Sequence, residues 1–111
     1  QNPEAKGRAL QAAVRVWVDE DPEAASRYVV GLRDPAAKDY AIRGMLGTVQ
    51  DTNPSDSLVW AMEMQDKELR QETVEFLAKK WNGNEDNLAT LRSQNGLSVE
   101  EREAIRSITG Q

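Results

Sequence analysis

Cysteine and histidine are both absent from this chain of 111 residues. Disulfides, thiolate nucleophiles, imidazole bases and the usual zinc and copper ligand sets are therefore excluded, because each needs side chains the chain lacks. The redox compartment stays open, since cysteine-free domains occur on both sides of a membrane. Binding to a phosphate backbone is disfavoured as well: the net charge is −5 and the longest basic run is Lys79-Lys80, too little to form a patch that overrides the overall repulsion. No apolar stretch approaches the roughly 20 residues that cross a bilayer, and nothing resembles a secretory leader. The first residue is Gln1 rather than Met, as expected of a processed or trimmed form.

What the chain has instead is a period. Asn2, Asp34, Asp66 and Ser98 stand 32 residues apart, each with the chemistry of a helix N-cap where a helical pattern begins. Pro3 with Pro35, Pro22 with Pro54, and Trp17 with Val49 and Trp81 repeat the same spacing. A fixed period of this size marks a helical array whose units each bury an apolar face against the next.

Proline lacks a backbone N–H and has a fixed φ, so it suits the first helical position, and a preceding Asn or Asp can accept from an orphan N–H. Asn2-Pro3, Asp21-Pro22, Asp34-Pro35 and Asn53-Pro54 all read as helix starts. Asp66 caps without proline, and Ser98-Val99-Glu100-Glu101 is a capping box. Gly83-Asn84 and Asn95-Gly96 supply the backbone freedom for turns. The spacing predicts helices over 3–19, 22–32, 35–50, 54–65, 67–82, 85–94 and 98–108. Short connections make consecutive helices antiparallel, so each unit is a hairpin of a longer and a shorter helix. The units run about 2–33, 34–65 and 66–97, with 98–111 a partial fourth, all in a single domain. That last unit reads as a terminal cap or as a hairpin cut short.

Apolar spacing of three and four predicts the buried faces. On the longer helices these are Ala9, Ala13, Val16 and Trp17, then Ala41, Met45, Leu46 and Val49, then Val74, Leu77, Ala78 and Trp81, with Ile105 and Ile108 last. The shorter helices contribute Ala25, Tyr28, Val29 and Leu32, then Leu58, Trp60, Ala61 and Met64, then Leu88 and Leu91. Ala5 with Ala37 and Ala9 with Ala41 are expected at the tightest helix contacts, and Gly44-Met45-Leu46-Gly47 as a thin patch against a neighbouring helix. Trp17, Trp60 and Trp81 are expected to pack rather than to bind. The acidic run Asp19-Glu20-Asp21 and the stretch Asn82–Asn87 lack the spacing of a hard-cation loop and read as solvated turns. Ser55, Ser57 and Thr90 have no histidine to activate them, the lysines lie in polar contexts, and Asp66 with Arg70 has helical ion-pair spacing. No enzyme activity, cofactor or metal is expected.

The hairpin period, the helix-start prolines and the Trp/Tyr/Ala rungs resemble the α/α repeats of tetratricopeptide-like and HEAT-like solenoids over the whole chain. The tetratricopeptide period is about 34 and its W-x2-L-G-x2-Y series is absent. A degenerate bacterial repeat of the form W-x3-D-P-x2-A-x2-aromatic is more similar, carried by Trp17, Asp21, Pro22, Ala25 and Tyr28, with Val49, Asn53 and Ser57 as departures in the second copy. The resemblance implies an interaction scaffold and transfers no catalytic residue.

The fold expected is thus all-α: a right-handed α/α superhelix-like solenoid of about three and a half hairpins. Its expected role is to bind a protein or peptide, of basic character given the acidic surface, and neither nucleic acid nor a membrane. Arg27, Arg33, Val59, Glu63, Arg92 and Gln94 are the candidate contact residues. The alternative is a structural segment of a longer chain, or a module that associates with its own copies as a homo-oligomer, with an exposed apolar flank near Leu97, Ile105 and Ile108.

Overall fold

Local chemistry at the helix starts sets the layout. The computed structural model describes the backbone of residues 3–52 and 54–110, and the side chains of 4–46 and 55–110. Among the described residues every regular element is a helix: α1 (Pro3–Glu20), α2 (Pro22–Val30), α3 (Pro35–Thr52), α4 (Pro54–Met62), α5 (Lys67–Lys80), α6 (Glu85–Arg92) and α7 (Val99–Thr109). All four prolines open helices, where the missing N–H costs nothing. Asp21 accepts from the Ala24 N–H at 3.1 Å, Asp34 from Ala36 at 3.3 Å, Asp66 from Leu69 at 2.9 Å and Asn84 from Asn87 at 3.1 Å. Ser98 and Glu101 form the capping box in both directions. The caps expected of Asn2 and Asn53, and the burial expected of Val49, fall outside the described residues.

The shorter helices end two or three residues earlier than their apolar patterns suggest. Leu32, Met64 and Gln94 lie in the turns that follow α2, α4 and α6, where Met64 packs into the core from a non-helical position. At Gly83 the backbone takes φ +94°, a conformation that suits a residue without Cβ.

The long helices α1 and α3 lie side by side and run the same way. A Cβ built on Gly7 would fall 2.2 Å from the Tyr40 ring, and one on Gly44 would fall 2.5 Å from the Gln11 carbonyl oxygen. The thin patch expected at Gly44 is therefore a close backbone approach to α1. The alanine rungs are a different matter: Ala41 is fully buried, but Ala5 and Ala9 are exposed, and glycine makes the tight contacts instead.

One continuous core runs through the molecule, from Val14 and Val18 on α1 through Ile42 and Leu46, Leu58, Val74 and Leu77, Leu88 and Leu91, to Ile105 on α7. The face assigned to α1 is corrected by the structure. Ala9, Ala13, Val16 and Trp17 are exposed, Val16 by 62%, and Gly7, Val14 and Val18 are buried in their place. Apolar residues occupy both sides of α1, and only the side carrying Gly7 and Val14 meets α3. Trp81 is buried and Trp60 partly so, whereas Trp17 stands 37% exposed with its ring 5.3 Å from that of Tyr28, itself 41% exposed. The flank expected near α7 is also corrected, because Leu97 and Ile105 are buried and Ile108 packs against the core.

Candidate binding cleft

Buried carboxylates hold the starts of two helices, Asp39 reaching from α3 to the entry of α5 and Glu101 closing the capping box of its own helix α7. Asp39, on α3 and almost fully buried, accepts from the backbone N–H of Gln65 at 3.1 Å and of Asp66 at 2.8 Å, fixing the entry to α5. Two donated backbone N–H bonds compensate the desolvation of that charge. Asp66 uses its own side chain on Leu69 and does not pair with Arg70.

Arg70 points the other way, to α7. Its Nε and Nη2 each donate to Glu101 at 3.0 Å, in the planar fork geometry that guanidinium and carboxylate share, and Nη2 also donates to the Gly96 carbonyl. Glu101 is only 3% exposed and additionally accepts from the Ser98 N–H at 2.9 Å. Three N–H donors, two from Arg70 and one from Ser98, thus reach this buried carboxylate, and such added hydrogen bonds are what a buried ion pair needs to persist. Gly96 lies under the Met62 methyl, where a Cβ would meet it at 2.9 Å.

Between these clamps lies a cleft of about 500 Å³, lined by Met64, Gln65, Lys67, Glu68, Arg70, Gln71, Gly96, Ser98, Glu100 and Glu101. A second cleft of about 210 Å³ continues along the same edge toward α1, between Arg8, Tyr40, Asp66, Leu69 and Glu72, and the two share Glu68. Arg70 and Glu101 neutralise each other at the cleft wall. Among the described residues Glu68, Glu100 and Lys67 make no ion pair, so the charge offered to a ligand is acidic on balance. In the second cleft, Glu72 stands 3.8 Å from Arg43, close enough for an ion pair and too far for a hydrogen bond. Burial pushes the Arg43 guanidinium below its ordinary value; Glu72 opposes that shift and Arg8 adds to it. The same guanidinium lies 5.9 Å over the Phe76 ring.

The six candidate contacts divide by position. Arg27, Val59 and Arg92 lie on the short helices α2, α4 and α6, while Arg33, Glu63 and Gln94 lie in the turns that lead into the next long helix. Val59 and Arg33 are exposed. Arg27 is exposed and paired with Glu23 at 3.2 Å, and Glu63 reaches Lys38 at 3.8 Å. Arg92 and Gln94 are engaged within the fold: Arg92 donates to the Thr109 hydroxyl, Gln94 to the Thr90 carbonyl, and the carbonyls of both accept from Arg102. Glu63 and Gln94 each belong to a turn that borders the larger cleft. The cleft itself has no sequence signature, because its walls come from two separated segments, 64–71 and 96–101; the one visible sign was the capping box at Ser98.

Among the described residues no three Asp or Glu side chains converge to hold a metal ion, and no helix is long and apolar enough to cross a membrane. Compared with protein-family models, with curated proteins and with solved structures, the chain has no match in any of the three.

Proposed function

We propose that this chain is a helical-repeat module, a right-handed α/α solenoid of about three and a half hairpins, that binds a protein or peptide segment of basic character and carries out no catalysis. The observation that carries the reading is the cleft between α5 and α7, with Glu68 and Glu100 unpaired on a wall braced by the Arg70–Glu101 pair. The 32-residue ladder and the like direction of α1 and α3 favour the solenoid. A radius of gyration of 13.7 Å is close to the value of about 13 Å for an ordinary domain of this length, as suits an array of so few units.

Rigid walls lower the ordering cost of binding, and acidic groups at the mouth favour Lys or Arg side chains while repelling acidic ones. Arg27, Arg33, Val59, Glu63, Arg92 and Gln94 extend the contact surface along the short helices and turns. The test is fluorescence anisotropy with labelled Lys/Arg-rich peptides and acidic counterparts. Glu68→Lys with Glu100→Lys weakens binding of the basic peptides roughly tenfold or more with the melting temperature unchanged, and Glu63→Ala weakens it less. Equal binding of basic and acidic peptides, or no effect of the Glu68 and Glu100 substitutions, would sink the cleft as the site.

A further inference from the structure

The two ends of the molecule are unlike. At the α7 end the outward side carries Glu103, Arg106 and Ser107 beside Val99, a mostly polar surface of the kind that terminates a helical array. At the α1 end the side facing away from α3 carries Ala5, Ala9, Ala12, Ala13 and Val16, all exposed, and runs into the exposed Trp17 and Tyr28 rings. This apolar face has no cover within the chain, and large exposed apolar patches mark association sites.

The charges around the face indicate what covers it. Lys6 and Arg8 lie in the first half of α1, and Asp19 and Glu20 in its last turn, which holds no basic residue. Carboxylates in the last turn oppose the helix macrodipole, so within one chain this arrangement is unfavourable. Among the described residues, moreover, Lys6, Asp19 and Glu20 make no ion pair. We propose that the face is the interface of a homodimer, in which α1 of two copies pack antiparallel about a twofold axis beside Ala12 and Ala13.

A twofold axis demands a self-complementary patch, and this one is. With that axis Val16 of one copy lies over Ala9 of the other, and the small alanines let the helices approach closely. Lys6 meets Glu20 on one flank and Arg8 meets Asp19 on the other. The N-terminus of each helix then lies at the acidic end of its neighbour, which reverses the unfavourable dipole interaction. The polar outward side of α7 offers no such match, so copies do not add head to tail. This inference is independent of the larger cleft, which opens on the edge between α5 and α7.

The full chain at increasing concentration in sedimentation equilibrium tests it. The mass is expected to rise from the 12.4 kDa of one chain to a plateau at twice that value, and Ala9→Glu with Ala13→Glu to hold it at one chain with the helical spectrum and melting of the dilute protein retained. Lys6→Glu alone weakens the dimer about tenfold or more through like-charge contact; Lys6→Glu with Glu20→Lys restores it, because both partners of each pair exchange sign. The chain's lack of cysteine gives a second readout. Under oxidation Ala13→Cys cross-links the two copies, whereas Ala5→Cys, about 22 Å from its mate in an antiparallel pair by helix rise, does not. A wild-type protein monomeric to sub-millimolar concentration, a mass that climbs past two chains, or efficient cross-linking through Ala5→Cys would each overturn the proposal.

Discussion

Arg70 and Glu101 show how much of the energetics rests on single side chains. Removing one partner leaves the other charge buried and unpaired, which costs about 3–5 kcal/mol in such sites, whereas replacing both with apolar residues is often close to neutral. Arg70→Met is therefore expected to lower the unfolding free energy by about 3 kcal/mol. Arg70→Met with Glu101→Met should recover most of that loss, as read from urea denaturation midpoints at unchanged slope. A double variant no better than the single one would show that the cap on Ser98, and not the ion pair, is what Glu101 supplies. The pair was not legible in the sequence. Local spacing points Arg70 toward Asp66, four residues back, but Asp66 is committed to the Leu69 N–H, and the partner that wins lies 31 residues ahead.

At the scale of the element, punctuation was legible and facing was not. Proline, Asp, Asn and Ser act through their own backbone neighbours, so the helix starts follow from composition alone. Which side of α1 turns inward is a tertiary matter. Both sides are apolar at helical spacing, and the choice is made by Gly7 and Gly44, where the absence of side chains lets α1 and α3 close up. Gly44→Ala sets a methyl group 2.5 Å from the Gln11 carbonyl oxygen and should cost about 1–3 kcal/mol by overpacking. Gly31→Ala is the matched control. Its Cβ would meet nothing closer than 3.5 Å and its φ is −79°, so it should be neutral or stabilise by up to about 1 kcal/mol. Thermal melts of the two variants beside the parent decide; equal destabilisation by both would show that helix propensity, not the close approach, governs these sites.

At the scale of the whole molecule, the 32-residue ladder gave the number and order of helices, yet neither the cleft nor the α1 face could be read from it. A cleft needs Glu68 and Glu100 in one place, and the distance between those residues along the chain hides that. The buried carboxylates have a mechanical consequence. Asp39 fastens α3 to the entry of α5, and Arg70 fastens α5 to α7, so tension applied at the two termini is carried from helix to helix by charge-assisted bonds partly shielded from water. Stretched between optical traps, the molecule should hold its length and then release in a single drop of force. Asp39→Ala, which removes one fastening and leaves the helices themselves intact, should divide that release into two.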